Sequence, residues 1–374
     1  MKIGMIILAA GLSERMGVLK PLLPVGGESA LLRAAGLGKA EKIHIISVVT
    51  GHRREEVEAE LLRCRAKNVR HIYNKRYSEG MFTSIQAGIH SLPNDVDAFL
   101  LLPVDHCAVK PETLERVIAA FVLSNGQAVV YPTYNGERGH PPLIPFGFAA
   151  GIRDYDGSGG MRGFLAPYPF EEVDVDDRGI LLDMDTPSDY ESLLTHLDLP
   201  VYPDEETCVR LLEKYKTPEN VIVHCRQVNA LALRIAKLLI EKNIQINKDL
   251  LSAACLLHDI VRPEAAHETA GAKLLLTEGY PAVARLVASH MDLPGDYGPK
   301  PDETALLYLA DKLFRDGEIS SIDETTARLR TRYAGDSDAL ARAAQRMAHA
   351  RMILEMLQNT YKISYQEISG APVE

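Results

Sequence analysis

The chain has 374 residues, more than one hydrophobic core usually serves, so two domains are the expectation. Hydrophobic residues at 46% and charged residues at 25% are ordinary for a soluble globular enzyme. A formal net charge of −10 argues against a protein that wraps nucleic acid through a basic face, and no apolar window approaches the ~18 residues of a membrane span. Five cysteines, at 64, 107, 208, 225 and 255, form no CxxC pair, which suits a reducing compartment. The opening run "MKIGMIILAAG" has too short an apolar core for a signal peptide and leads into Ser, Glu and Arg. The expectation is a cytoplasmic, soluble protein with no nucleic-acid or membrane partner.

Along the first half, strand-like and helix-like segments alternate. "MIILAA" reads as a buried strand, "SALLRAAGLGKA" as a helix, "KIHIISVVTG" as a strand and "RREEVEAELLRCRA" as a helix. "VRHIYN", the helix "EGMFTSIQAGIHSL", the strand "DAFLLLPVD" and the helix "PETLERVIAAFVLS" follow. "QAVVYPTY" and "PLIPF" continue the sheet. This rhythm predicts an α/β domain, a mostly parallel sheet with helices on both faces, over 1–197.

The segment 198–206, with two prolines and adjacent acids, reads as a linker. From 207 to 365 the pattern is all-helical, with no strand signal. Thr217 is expected to cap the helix "TPENVIVHCRQVNALALRIAKLLIEK", with Pro218 at its first position. Further helices are expected near 248–261, 267–278, 281–290, 302–315, 322–333 and 337–361, and 366–374 as a loose tail.

The string "LAAGLSERMGVLKPLLPVGG" (8–27) follows the first strand directly. Glycines at 11 and 17 suit a tight turn, exposed loop amides favour anions, and Arg15 and Lys20 add the charge that a triphosphate needs. The whole string resembles the MobA-like nucleotidyltransferases, and within them the molybdenum cofactor cytidylyltransferases with their LAAGxSxRMGxxKxLLP opening. The likeness continues at "YNKRYSEGMFTSIQAGI", "LLPVDHCAVKPETL", "GERGHPPLI" and "LLDMDTPSDY". It implies a Rossmann-like nucleotidyltransferase fold in which Ala9, Ala10, Gly11, Ser13, Arg15, Lys20, Gly80 and Ser84 hold the nucleotide. It further implies that Asp105, with Asp183 or Asp185, binds Mg²⁺, and that Gly139 and His140 line the acceptor side. CTP would be one substrate and molybdopterin, or a related phosphate acceptor, the other, with molybdenum hydroxylase maturation proteins as partners. The plainer alternative for Asp105 and Asp185 is helix capping. His106–Cys107 stands where that family commonly has Gln–Pro, which bears on the fit of the acceptor.

In "LLSAACLLHDIVRPEAAHETAGAKLL" (250–275) the pair His258–Asp259 sits in an oily helical pattern, where a carboxylate needs a compensating cation. His224 shares a helix face with Val228, Leu231 and Ile235, and Asp311 stands inside the apolar "LLYLADKLF". The order H…HD…D resembles the HD phosphohydrolase superfamily over about 215–330. That likeness implies an all-α HD domain in which His224, His258, Asp259 and Asp311 hold a divalent transition metal such as Mn²⁺, Fe²⁺ or Ni²⁺. Asp259 would be the central catalytic ligand, and His267 and His290 would serve a second metal. Lys312 and Arg315 are read as the solvated face of an amphipathic helix. The chain then reads as a bifunctional enzyme. The alternative is a transferase for another metabolite whose helical half is a regulatory module binding metal and nucleotide.

Overall fold

Strand β1 (Ile3–Ala9) is buried at every position. Successive side chains of a strand face opposite sides, so Met5 and Ile7 on one side and Ile6 and Leu8 on the other are all withdrawn from water. Only a central strand of a sheet covered on both sides meets that condition. The computed structural model describes residues 1–39, 42–64, 66–262, 264, 266–294, 297–315 and 317–370. The chain divides into two units, Met1–Leu199 and Pro200–Glu374.

In the first unit β1 is followed by the small hairpin β2 (Pro24–Val25) and β3 (Glu28–Ser29), then α1 (Ala30–Gly36), β4 (Ile43–Thr50), α2 (Arg54–Leu61) and β5 (Val69–Tyr73). Next come α3 (Met81–Ser91), β6 (Ala98–Pro103), α4 (Pro111–Leu123), β7 (Val129–Tyr134), β8 (Glu137–Arg138) and β9 (Leu143–Pro145). The unit closes with α5 (Ala149–Asp154), α6 (Gly160–Leu165), β10 (Phe170–Asp174) and α7 (Pro187–His196). The sheet order is β10-β7-β9-β6-β1-β4-β5, with β8 on β7. Pairs β1–β4, β1–β6, β4–β5 and β7–β10 are parallel, and β9 is the antiparallel insert between β6 and β7.

Local chemistry sets the helix starts. The Ser29 hydroxyl accepts from Leu32 N at the head of α1, and Thr186 with Asp189 forms a reciprocal capping box on α7. One face of the sheet packs Ile6, Leu8, Val49, Phe99 and Leu101 against Ile85 and Ile89 of α3. Because β1 pairs in register with both neighbours, Leu8 opposite Val49 and Pro103, the carboxyl ends of β1, β4 and β6 lie side by side.

The second unit is helical: α8 (Glu205–Lys214), α9 (Glu219–Ile240), α10 (Lys248–Leu257), α11 (His267–Thr277), α12 (Pro281–Ser289) and α13 (Glu303–Leu313). A two-residue ladder, β11 (Phe314–Arg315) with β12 (Glu318–Ile319), precedes α14 (Ile322–Arg332), α15 (Ser337–Asn359) and α16 (Tyr365–Ser369). That ladder corrects the expectation of no strand in this half. The acids at 204–206 do not lie in a linker: Asp204 caps α8 through Thr207 N, and Glu205 and Glu206 fill its first turn, where the helix dipole favours them. Residues 366–370 are not a loose tail, since Ile368 is buried and Arg234 donates to the carbonyls of Ile368 and Ser369. Residues 371–374 lie outside the described residues. Among the described residues no helix is long and apolar enough to cross a membrane.

Candidate functional site

In the first unit the loop after β1 turns through left-handed backbone at Ser13 (φ 56°) and Gly17 (φ 73°), while Gly11 keeps an ordinary φ. Gly11 therefore does not make the turn; a side chain there would meet nothing within 4 Å, so its backbone lies open to an approaching group. Ala9 and Ala10 are buried, and the Ala10 carbonyl accepts from His52 N at 3.3 Å, tying the loop to the end of β4. The Ser13 hydroxyl accepts from Lys20 N at 3.3 Å and so brings Lys20 back over the sheet end.

There Lys20 Nζ donates to Asp105 Oδ2 at 2.8 Å and to Asp185 Oδ1 at 2.5 Å, and the exposed Arg15 donates to Asp185 Oδ2 at 2.6 Å. Asp183 Oδ1 accepts from Asp185 N at 3.1 Å and holds the same turn. Neither Asp105 nor Asp185 caps a helix: Lys110 occupies that position on α4 and Thr186 on α7. Burial by itself would lower the basicity of the Lys20 amine, but Asp105 and Asp185 outweigh it and raise its pKa. Burial raises the Asp183 carboxyl, helped by repulsion from Asp185 and Asp105, whereas the Lys20 hydrogen bond lowers Asp185. The acids thus leave negative charge for a further cation beside Lys20. Mg²⁺ takes one or two carboxylates and completes its shell with phosphate and water, so the donors it needs are of the kind that Asp105, Asp183 and Asp185 offer.

On the flank, the rings of His106 and His140 lie tilted at 41° with centroids 4.3 Å apart, and neither Nδ1 has a hydrogen-bond partner. Burial lowers the pKa of His106 and pushes His140 down to about 4, so both imidazoles are neutral. Gly139 is required for packing: a Cβ there would stand 2.5 Å from the Ile180 carbonyl oxygen. Gly80 (φ 115°) is exposed at the head of α3. Ser84, in contrast, is interior and bonded to Asn74 Nδ2 at 3.0 Å, where it braces the turn rather than facing open surface. Asn74 also holds Thr83 and Arg76 N, a role that nothing in the local sequence announces.

In the second unit, His258 is the cap residue of α10 and Asp259 stands in the turn that follows, not in mid-helix as the apolar run suggests. Thr217 does not cap α9, which starts behind Pro218; its hydroxyl donates to the Ile260 carbonyl at 2.8 Å and pins that turn. Around the buried Asp259 the imidazoles divide by oxygen. Oδ2 faces His258 Nε2 at 3.4 Å and His224 Nε2 at 3.9 Å, and Oδ1 faces His267 Nε2 at 3.2 Å and His290 Nε2 at 3.6 Å. Asp311 Oδ1 lies 3.2 Å from His224 Nε2 and 3.5 Å from His258 Nε2. The structure therefore brings all six predicted residues together.

The donor chemistry fits a metal. Carbonyls can only accept, so His258 Nδ1 carries the proton it gives to Cys255 O at 2.8 Å, as does His290 Nδ1 toward Val287 O at 2.7 Å. Each Nε2 then presents a lone pair to a carboxylate oxygen, an arrangement that repels unless a cation stands between. His258 Nε2, His267 Nε2, His290 Nε2 and Asp259 Oδ1 are buried without a hydrogen-bond partner. Donor atoms of His224, His258 and Asp259 lie within 4.8 Å of one another, and so do those of Asp259, His267 and His290.

Lys312 is not on a solvated face. It is 8% exposed, donates to Asp311 Oδ2 at 2.6 Å and to the His290 carbonyl at 2.9 Å, and lies 4.8 Å from the Tyr308 ring centre. The Arg315 side chain lies outside the described residues. Arg262, which the sequence reading passed over, donates from the turn to Asp259 Oδ2.

Residues 5–173 match the family model of the MobA-like NTP transferase domain, and residues 221–316 match that of the HD domain. The chain is 29% identical over 185 residues to the molybdenum cofactor cytidylyltransferase of Escherichia coli K12, covering 50% of this chain and 92% of that protein. It is 31% identical over 162 residues to the tRNA (cytidine(56)-2'-O)-methyltransferase of Thermoplasma volcanium, spanning 39% of this chain and 46% of that protein. Among solved structures, Rv0371c of Mycobacterium tuberculosis H37Rv is similar at 23% identity and a TM-score of 0.45, over 52% of this chain and 98% of that chain.

Proposed function

We propose that this chain, which joins a MobA-like NTP transferase domain to an HD domain, carries out two reactions on phosphorus at two separate sites. The first is transfer of CMP from CTP to molybdopterin, with pyrophosphate released. The observation that carries it is the meeting of Lys20, Asp105 and Asp185 at the ends of β1 and β6, where open α/β sheets bind ligands. The Escherichia coli relative, named a molybdenum cofactor cytidylyltransferase, supports an acceptor of that class.

In this reading the loop from Ala9 to Gly17, with Gly80, cradles the triphosphate through backbone amides, while Arg15 and Lys20 face its charge. Asp105, with Asp183 or Asp185, would hold Mg²⁺, which would neutralise phosphate charge. A phosphate oxygen of the acceptor attacks the α-phosphorus, forming the new P–O bond as the bond to the β-phosphate oxygen breaks. Lys20 and Arg15 take up the charge on the departing pyrophosphate, so the protein's work is positioning and charge neutralisation. Gly139 lets the chain pass close to Ile180, and His140 with His106 presents a neutral wall to the acceptor. The test is pyrophosphate release from purified protein with Mg²⁺, molybdopterin and each nucleoside triphosphate in turn. CTP should be preferred; no release with any of them would remove the assignment.

The second reaction is hydrolysis of a phosphoester by the helical unit. His224, His258, Asp259 and Asp311 would hold one divalent metal such as Mn²⁺, Fe²⁺ or Ni²⁺, and His267 and His290 a second that shares Asp259. A bound metal of this kind polarises phosphate and lowers the pKa of water. The chain's own part is to fix donor directions: Cys255 O and Val287 O orient two imidazoles, and Lys312 orients Asp311. The five free cysteines and the ordinary reducing chemistry they imply support a cytoplasmic location. A second reading of the front site keeps the nucleotide and changes the acceptor to another phosphate- or hydroxyl-bearing metabolite; His106–Cys107, standing where the resembled family commonly has Gln–Pro, favours it.

A further inference from the structure

The ligands of the two proposed metals differ in how their backbones are held. His224 lies inside the 22-residue α9 and Asp311 inside α13, so helical hydrogen bonds fix both. His290 has less support. It stands at the end of α12, and Met291, Asp292 and Leu293 after it belong to no helix or strand. A metal ligand has to stay within about 0.5 Å of its working place, so this turn needs a brace from elsewhere.

Two helices supply it. Lys312 Nζ of α13 donates to the His290 carbonyl at 2.9 Å. From α15, Arg346 donates to Asp292 through two parallel bonds, Nε to Oδ1 at 2.7 Å and Nη2 to Oδ2 at 2.5 Å. A guanidinium fork on a carboxylate fixes direction as well as distance. Arg346 is itself anchored, because the Tyr308 hydroxyl of α13 donates to its carbonyl at 3.1 Å and its neighbours Ala343, Met347 and Ala350 are buried. Tyr308 and Lys312 stand one turn apart on α13, the ammonium 4.8 Å from the ring centre. The contacts therefore close a ring that runs from α13 to α15, on to Asp292, and through His290 back to α13. Arg346 also attracts Glu268, the neighbour of His267. It lies beyond the residues matched to the HD domain, which end at 316.

We infer that Arg346 is a positioning residue for the second metal: through Asp292 it fixes the turn that carries His290, so that α15 tunes how readily the second ion is held. The inference rests on the two-metal reading of the helical unit and adds to it a brace from outside the matched domain. His224, His258 and Asp311 do not use this turn, so the effect is selective for the second ion. The pair is partly open to water, Arg346 at 27% and Asp292 at 58% exposure, which sets its worth at the upper end of exposed ion pairs, about fivefold in affinity.

The experiment is titration of Mn²⁺ into the full-length, metal-stripped chain, read by electron paramagnetic resonance. Two Mn²⁺ ions that share Asp259 couple magnetically and give a signal distinct from that of an isolated ion, including one bound in the first unit. Wild type is compared with Arg346→Met, Asp292→Asn and Arg351→Met; the last removes a bond of the same helix, to Asp323 at 2.6 Å, and leaves the His290 turn untouched. Arg346→Met and Asp292→Asn should each need about fivefold more Mn²⁺ to reach half of the coupled signal, with Arg351→Met at the wild-type midpoint. A wild-type midpoint in Arg346→Met, or an equal shift in Arg351→Met, would overturn the role of Arg346 and leave the two-metal reading standing. Wild type that gives no coupled signal would overturn that reading and this inference together. Should Arg346→Met fail to fold by circular dichroism, Asp292→Asn carries the comparison, since it keeps the side-chain shape and removes the charge that the fork holds.

Discussion

At the front site His140 has the most displaced imidazole. Burial holds it at about 4, against an ordinary value of 6.5, and lowers His106 beside it as well. The folded chain therefore refuses a proton that the unfolded chain accepts. Well above the unfolded value neither state binds it, and the full stability is present. As pH falls from the ordinary imidazole range toward about 4, the unfolded state gains the proton first and stability is lost. One such group accounts for about 3 kcal/mol across that window, at roughly 1.4 kcal/mol per unit. Denaturant unfolding at several pH values should show wild type weakening through this range and His140→Gln weakening less. Equal slopes in the two proteins would mean that His140 is not the group responsible.

Among the elements, the acids at 183 and 185 hang from a 3₁₀ turn over Arg178–Leu181, and Asp105 lies just before α4. One buried carboxylate joins the two. Asp177 is 1% exposed and accepts from Lys110 N at 2.8 Å, Thr113 Oγ1 at 2.6 Å and Gly179 N at 2.9 Å. Asp177→Ala strands three donors at once, and the midpoint of denaturant unfolding should fall by the equivalent of at least about 2 kcal/mol. A midpoint at the wild-type value would contradict this bracing role. The strand–helix alternation was readable from composition because buried parallel strands are continuous apolar runs, as in β1 and β6. The direction of β9 was not, since three apolar residues carry no sign of orientation. The end of α10 was also hidden: apolar burial continues through Ile260, so the pattern does not mark where hydrogen bonding stops. Thr217 illustrates the general limit. It has the composition of a cap, and only the packed structure gives its hydroxyl to a carbonyl 43 residues away. Asp177 and Lys312 were passed over or misread for the same reason, because their partners are set by tertiary packing. The charged residues that meet in the two clusters were conspicuous in the sequence, because they interrupt apolar runs and the loop string is contiguous.

Over the whole chain, two clusters of acids gather cations in two ways. In the first unit the chain supplies much of the positive charge itself, through Lys20 and Arg15. In the second, unpaired imidazole nitrogens surround a buried carboxylate and leave room for an external cation. Under the proposed function these are separate catalytic centres with separate dependence on their acids. The measurement that tests it most directly compares full-length wild type, Asp105→Asn and Asp259→Asn in two assays, CTP-dependent pyrophosphate release and hydrolysis across a panel of phosphoesters. Asp105→Asn should lose the first activity by about a hundredfold or more and keep the second, while Asp259→Asn should do the reverse. Pyrophosphate release that survives Asp105→Asn, or phosphoester hydrolysis that survives Asp259→Asn, would contradict it.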